Sequence, residues 1–280
     1  MVTPAQRQSA VKWAMNGHGL SERGACRALG VSRSSYRRGY KGNRCACEPA
    51  LERRLRELSQ AHVRWGCPLL HQRLRLEGYR VNHKRTERLY REMELALRRR
   101  RRRRLTRGPQ PLDAALAPNQ CWSVDFMSDA FTSRRGFRWF NVLDDFSRQA
   151  LCVAPGLSFP AWRVIEVLEA LVKQFGEPQS IRSDNGPEFI ARDVQEWAHS
   201  SGIEWKFIQP GKPAQNGYIE RFNGTFRTEV LDICAFSDLE ESQLIAEQWR
   251  RTYNNDRPHQ ALDYLPPRVF LENWQANSLY

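Results

Sequence analysis

The order of apolar segments after residue 119 constrains the fold of this chain more than any other sequence feature. Three short runs rich in β-branched and aromatic residues come first, separated by Gly, Ser and charged residues. An amphipathic helix then ends at Gly176, and strands alternate with helices from there. The predicted strands are 121–127, 137–147, 149–156, 179–184 and 204–209, and the predicted helices are 161–176, 191–202 and 218–233.

This element order predicts an α/β fold class. Three strands, a helix, a strand, a helix, a strand and a final helix are the order of an RNase H-like core. We therefore predict a mixed five-stranded sheet flanked by helices. The region before residue 108 has no strand pattern, and its leucine spacing is that of helices.

Charge is distributed very unevenly along the chain. Residues 1–110 contain 28 Lys and Arg against 8 Glu and no Asp, whereas residues 111–280 contain 16 Lys and Arg against 23 Asp and Glu. A basic first part suits a polyanion, and an acidic second part suits bound cations. The leading predicted partner is therefore nucleic acid, in the form of double-stranded DNA.

Two helical pairs in the basic part have the pattern of a helix-turn-helix. In the first pair Ser21 is a candidate N-cap and Gly30 a turn, and in the second a turn at Gly78 precedes a helix that begins near Asn82. Seven consecutive arginines at 98–104 predict a solvated arm. An ordinary αα-hairpin with basic, solvent-facing ends is the alternative interpretation of the first pair.

The predicted DNA contacts are basic and polar side chains near these helix starts, in the arginine arm and around the last core helix. Lys and Arg would pair with phosphates, and side chains at the start of a recognition helix would read base edges. The predicted contacts are Arg33, Ser34, Arg37, Lys84, Arg85, Arg98, Arg101, Arg104, Lys212, Asn216 and Arg227.

Three carboxylates fall where this topology brings them together. Asp125 lies in the middle of the first strand, Asp184 ends the fourth strand in "SDNGPEF", and Glu220 lies in the first turn of the last helix. Two-metal phosphoryl transfer requires acidic side chains that hold two divalent ions about 3.5–4 Å apart. Mg²⁺ prefers oxygen ligands and keeps several waters, so two or three carboxylates suffice. The pattern predicts a metal site.

The Glu220 helix gives a second indication. Its predicted buried stripe leaves Glu220 outside, and Arg227, two turns later, lies on the same face as Glu220. A metal-binding carboxylate and a phosphate-binding cation on one face would serve one site, although a solvated Glu/Arg face is the alternative. The stripe consists of Ile219, Phe222, Phe226, Val230 and Ile233.

Taken together, these motifs closely resemble the Insertion-Sequence-Three family of bacterial transposases, specifically the product of the second reading frame, OrfB. The resemblance rests on the D…D(35)E spacing, "SDNGPEF", "AQNGYIERFNGTFRTE" and "YNNDRPHQALDYLPPRVF", and it extends to "LSERGACRALGVSRSSYRR" and "WGCPLLHQRLRLEGYRVNHKRTERLYREM". It implies a core like that of retroviral integrase, with Asp125, Asp184 and Glu220 as the catalytic and metal-binding triad.

The resemblance also implies an activity and its partners. Two Mg²⁺ or Mn²⁺ ions per site would support cleavage at element ends and attack by the freed 3′-OH on another phosphodiester. The expected partners are element-end and target DNA, a first-frame product (OrfA) joined by frameshifting, and further copies of this chain on DNA. A non-catalytic DNA-binding regulator or relic, and an RNase H-like nuclease that only cleaves, are the alternatives.

No apolar run is long enough to span a membrane and no signal peptide is apparent, so we expect a cytoplasmic, nucleoid-associated bacterial protein.

These expectations divide the chain into five parts. The parts are a helix-turn-helix-like segment at 1–47, a helical DNA-binding segment with an Arg-rich arm at 48–107, a linker at 108–118, the RNase H-like catalytic core at 119–233, and a C-terminal helical extension at 234–280.

Overall fold

The computed structural model describes residues 4–38, 48–97, 114–209, 211 and 213–278. The chain forms two compact units, Met1–Arg56 and Glu57–Tyr280. No helix among the described residues is long and apolar enough to cross a membrane. The arginine arm at 98–104, with the predicted contacts Arg98, Arg101 and Arg104, lies outside the described residues, as does Lys212.

Three helices make up most of the first unit. They are α1 (Pro4–His18), α2 (Glu22–Ala28) and α3 (Arg33–Arg38), and the next helix, α4 (Glu48–Ala61), extends past the boundary of the unit. The Ser21 hydroxyl caps α2 by accepting from the Gly24 N–H at 3.2 Å, as its position before Glu22 predicts. Gly30, at φ +61°, makes the turn before α3.

The second unit begins with two further helices, α5 (Cys67–Leu76) and α6 (His83–Glu92). Asn82 caps α6 by accepting from the Lys84 N–H at 3.1 Å, which confirms the predicted helix start. Arg73 of α5 forms an ion pair with Asp256 at 3.1 Å. That contact ties the α5 helix to the C-terminal part of the same unit.

The sheet has the predicted five strands, in the order β3-β2-β1-β4-β5. Strands β1 to β3 are antiparallel, whereas β4 runs parallel to β1 and β5 parallel to β4, so the sheet is mixed as predicted. Their bounds are β1 (Cys121–Ala130), β2 (Gly136–Asp144), β3 (Ala150–Gly156), β4 (Ser180–Ser183) and β5 (Glu204–Phe207).

Helices cover both faces of the sheet, because side chains alternate along each strand. Trp122 and Val124 of β1 pack with the helices α7 (Ala161–Phe175), α8 (Pro187–Ile190) and α9 (Arg192–Ser200). Met127 of β1 packs on the opposite face. That face is covered by α10 (Gly217–Phe226) and α11 (Leu239–Asn255), after which α12 (Pro267–Ser278) completes the chain.

The predicted helix 218–233 is correct in its first part and wrong at its end. Ile219, Phe222, Phe226 and Val230 are buried as predicted, but Ile233 is 45% exposed. The reason is a switch from α-helix to π-helix over Arg227–Leu231, which alters the residue spacing on which the stripe depends.

Candidate active site

The parallel pairing of β1 and β4 brings Asp125 and Asp184 together. Cys121 pairs with Ser180 and Ser123 with Arg182, and the same offset continued for two residues places Asp125 beside Asp184. Asp184 follows β4 directly and is exposed at the end of the strand. The sheet register therefore aligns the first two carboxylates at the C-terminal end of β4.

Glu220 approaches the same place from α10. It is exposed in the first turn of α10, a helix that packs across β1 and β2. Burial raises the pKa of Asp125 from 3.8 to about 6, and the negative charges of Asp184 and Glu220 add to that rise. Asp184 and Glu220, from two other elements, are thus close enough to Asp125 for their charges to act on it.

These donors suit a divalent ion such as Mg²⁺, since carboxylate oxygens are its usual protein ligands. Among the residues that the structure describes, no three His, Cys, Asp or Glu side chains are arranged so as to hold a metal ion directly. The oxygen donors and the negative charge that a divalent ion needs are present. For all three carboxylates to bind one metal centre, the exposed side chains of Asp184 and Glu220 have to rearrange.

A buried amide relay fixes Asp125, and sequence reasoning missed it. Asn223 Nδ2 donates to Asp125 Oδ2 at 2.8 Å, and Asn141 Nδ2 donates to Asn223 Oδ1 at 2.7 Å. The Phe126 N–H donates to the other oxygen, Oδ1, at 2.8 Å. Asn223 lies one helical turn after Glu220, and this spacing was the available signal. The relay connects the helix that carries Glu220 to the strand that carries Asp125.

The loop after Asp184 is held in a defined shape. Asp184 Oδ1 accepts from the Gly186 N–H at 3.0 Å, and a Cβ at position 186 would lie 3.0 Å from that same oxygen, so a larger residue there would displace the Asp184 carboxylate slightly. Glu188 pairs with Arg138, whose guanidinium lies 4.3 Å from the centre of the Phe126 ring. Burial raises the pKa of Glu188, but the hydrogen bond and charge of Arg138, together with a backbone hydrogen bond, outweigh it and the net shift is downward.

The other acidic residues near the sheet have structural partners. Asp144 accepts from the Asn119 N–H and from Ser147, and Asp145 accepts from Ser123 Oγ at 2.6 Å. Asp129 accepts from the Ala130 N–H at 2.9 Å at the end of β1. These contacts account for the three residues without a metal.

The predicted DNA contacts are placed unequally. Ser34 is exposed, but Arg33 and Arg37 both donate to Glu22 Oε1, at 3.2 and 2.8 Å. Lys84 is exposed at the start of α6, and Arg227 is exposed on the Glu220 helix. Arg85 is half-buried in the first turn of α6.

Asn216 does not have the surface that its predicted DNA contact requires. Its side chain is 3% exposed, and its Nδ2 donates to the Val124 carbonyl at 3.4 Å. The polar character and loop position suggested a DNA contact, but the residue instead packs the start of α10 against β1, next to Asp125.

The raised pKa of Asp125 predicts that Asp125→Asn stabilises the metal-free protein at alkaline pH. A carboxyl whose pKa is higher in the folded state contributes stability below pH 4 that is lost as the pH rises through about 6. Since one pKa unit corresponds to about 1.4 kcal/mol, we expect the variant to gain about 1–3 kcal/mol relative to wild type between pH 4 and pH 8. Urea unfolding in EDTA at both pH values measures this gain, and an equal difference at both would contradict it.

Comparisons with known proteins give consistent matches along the chain. Models described as "Integrase core domain" match residues 115–213 and 201–267, and one described as "HTH-like domain" matches 47–103. An uncharacterized 31.7 kDa protein of insertion element IS407 from Burkholderia multivorans is 39% identical over 96% of each chain. An uncharacterized 39.2 kDa protein of insertion element IS476 from Xanthomonas euvesicatoria is 39% identical over 99% of this chain and 81% of its own.

One solved structure with a similar core is the HTLV-2 integrase catalytic core domain in complex with magnesium. It is 21% identical, with a TM-score of 0.44, over 57% of this chain and 97% of that chain. The catalytic core domain of BIV integrase is 17% identical, with a TM-score of 0.43, over 57% of this chain and 99% of that one.

Proposed function

This chain belongs to the Insertion-Sequence-Three family of transposases, and from that premise we propose that it cleaves DNA at the ends of an insertion element and transfers the resulting 3′-OH to another phosphodiester. In this proposal Asp125, Asp184 and Glu220 form the catalytic and metal-binding triad. The substrates are the terminal repeats of the element and the target DNA.

One observation carries the proposal. The charges of Asp184 and Glu220 act on the buried Asp125 and raise its pKa. Placing two carboxylates where they oppose the ionisation of a third, buried one costs stability, and such an arrangement is typical of a site that later receives positive charge. None of the three has a cationic partner within hydrogen-bond or ion-pair distance among the described residues.

The residues of this chain position the reacting groups. Two Mg²⁺ or Mn²⁺ ions, when bound, would activate the attacking water or 3′-OH and neutralise charge at the phosphate. Asp125, Asp184 and Glu220 would hold them, and Asn223 keeps the Asp125 carboxylate oriented. Arg227, exposed two turns after Glu220, would pair with a phosphate of the bound strand.

DNA binding is assigned to the helical segments before the core. Lys84 and Arg85 stand at the start of α6, in the segment that matches the HTH-like model. Arg33, Ser34 and Arg37 of α3 would contact DNA in the first unit, and this requires both arginines to leave Glu22. A frameshift fusion with the first-frame product and assembly of several copies on DNA are part of the same proposal.

The test uses purified full-length chain, alone and fused to the upstream product, with labelled element-end DNA. Nicking and joining that require Mg²⁺ and stop in EDTA are the expected result. Nicking without joined products would indicate a nuclease that only cleaves. DNA binding without nicking or joining, by the chain alone and by the fusion, would indicate a DNA-binding regulator. Activity in the fusion alone would support the chemistry and make the upstream product a required partner.

Asn223→Ala is expected to reduce nicking about 10–100-fold, because residues that orient metal ligands typically have effects of this size. The variant frees Asp125 Oδ2 and leaves the Asn141 amide without its acceptor. The Mg²⁺ concentration that gives half-maximal activity should rise, which a purely structural defect would not cause. Asn255→Ala, an exposed asparagine on α11, is the control. An unchanged Mg²⁺ requirement in Asn223→Ala would contradict the positioning role.

A further inference from the structure

A cavity of about 510 Å³ lies on the flank of α10 in the second unit. It is lined by parts of α5, α10, the end of α11 and the segment after α11, which belongs to the "RPHQALDYLPP" motif. Nothing in the proposed chemistry uses this cavity.

The cavity and the carboxylates use different faces of α10. Successive residues of an α-helix are turned by about 100°, so Arg221 lies about 100° and Tyr218 and Thr225 about 140–160° around the axis from Glu220. Glu220 and Asn223 face the strand that carries Asp125. A ligand in the cavity would therefore be separated from the carboxylates by the width of a single helix.

The mouth of the cavity is cationic. Three arginines line it, and no acidic residue of the described part of the chain does. Arg257 is neutralised by Glu229 at 2.9 Å, and Arg148 lies 3.4 Å from the centre of the Tyr218 ring. Arg221 is exposed and forms no ion pair with the described residues of its unit. Arg148 and Arg221 therefore offer positive charge to an anionic group at the opening.

The floor of the cavity is aromatic and contains one unused polar atom. Phe222, Tyr253 and Pro258 are buried, and the His259 ring lies 4.6 Å from the Tyr253 ring, edge to face. Burial and the nearby Arg257 and Arg148 lower the pKa of His259 to about 3, so its ring is neutral. His259 Nε2 is buried and has no hydrogen-bond partner in the described part of the chain.

From this arrangement we infer that the cavity receives one unpaired nucleotide of the bound DNA. Its phosphate would pair with Arg221 and Arg148 at the mouth, its base would lie against Tyr253 and Phe222, and His259 Nε2 would form a hydrogen bond with the base edge. A paired base is held in the duplex stack, so only an unpaired nucleotide can enter. This inference rests on the proposed function, since it assumes that DNA is bound beside α10.

Binding of two labelled duplexes to the full-length chain tests the inference. One duplex ends in a single unpaired adenine nucleotide, and the other carries an abasic residue at that position. We expect wild type to bind the first about tenfold more tightly, because stacking of one base on aromatic side chains has roughly this effect. Arg221→Ala, which removes a phosphate contact present with both duplexes, should weaken the binding of both about equally. Arg192→Ala, an exposed arginine on α9, should bind both duplexes as wild type does.

A second measurement avoids dependence on any one variant. With 2-aminopurine as the unpaired residue, its fluorescence should fall when wild type binds, since the base stacks on aromatic side chains. His259→Phe replaces the imidazole with another aromatic ring that has no polar atom, and it should lower the preference for adenine over the abasic residue. Equal affinity of wild type for both duplexes, or a preference that His259→Phe leaves unchanged, would overturn the inference.

The two proposals fail in different ways. If Mg²⁺-dependent nicking is present and wild type shows no preference for the unpaired nucleotide, the cavity inference alone is wrong. If the preference is present and depends on His259, but no nicking or joining occurs, the proposed chemistry fails and the cavity assignment stands.

Discussion

Asp184→Asn and Glu220→Gln should each reduce DNA nicking and joining by about 10³-fold or more, the loss typical of removing an essential catalytic group. Each substitution keeps the size of the side chain and removes the charge that would hold a divalent ion. Both side chains are exposed, so neither substitution creates a cavity in the core. DNA binding in EDTA should change little, because neither residue is a cation that pairs with phosphate.

The matched control for these two substitutions is Glu196→Gln, which removes an exposed carboxylate on α9 that pairs with Arg192 at 2.6 Å. It should nick and join at the wild-type rate, because a surface ion pair of this kind contributes little to stability. Nicking assays and fluorescence anisotropy on the same preparations separate chemistry from binding. Nicking by Asp184→Asn or Glu220→Gln at a rate near wild type would contradict the assignment of the triad.

Arg182→Met should destabilise the folded protein by about 3–5 kcal/mol, the usual cost of removing one partner from a buried ion pair. Arg182 on β4 pairs with Asp145 at 2.9 Å, and the two side chains are 11% and 0% exposed. Asp145 also accepts from Ser123 of β1, so the cluster joins β1 and β4 two residues before the aligned Asp125 and Asp184. Losing the cation leaves a buried carboxylate without compensation.

The pH dependence provides an internal check on this loss. Burial raises the pKa of Asp145, and the charge of Arg182 opposes that rise. Removal of Arg182 should therefore raise the pKa of Asp145 further and favour its protonated form. The destabilisation should therefore be larger at pH 8 than at pH 5, because protonation removes the uncompensated charge. Urea unfolding measures both values, and Arg192→Met is the exposed control. A loss below 1 kcal/mol at pH 8 would contradict the role of the pair.

Local patterns were sufficient to predict most of the fold. The five strands and the helices α7, α9 and α10 follow from residue periodicity and from stop signals such as Gly176. The helix starts after Ser21 and Asn82 follow from capping chemistry. The π-helical turn over Arg227–Leu231 could not be predicted, because residue spacing alone does not distinguish it from continued α-helix, and Ile233 was wrongly assigned to the buried stripe.

The candidate site was predictable only in part. The topology predicted that Asp125, Asp184 and Glu220 lie near one another, since each stands at a definite place on its strand or helix. The spacing of Asn223 from Glu220 indicated a position near the site, but its partner Asn141 lies 82 positions away in the chain, so no local pattern identifies the relay between them. The burial of Asn216 likewise depends on tertiary packing and not on its own chemistry.

Binding of Mn²⁺ to the DNA-bound protein, followed by electron paramagnetic resonance of the free ion, is the most direct test that the three carboxylates form one catalytic metal centre. The comparison is between wild type and the combined variant Asp125→Asn, Asp184→Asn, Glu220→Gln, each with the same element-end duplex. Wild type should bind two ions beyond those bound by the DNA alone, and the combined variant should bind none. Equal Mn²⁺ binding by both proteins would contradict the account.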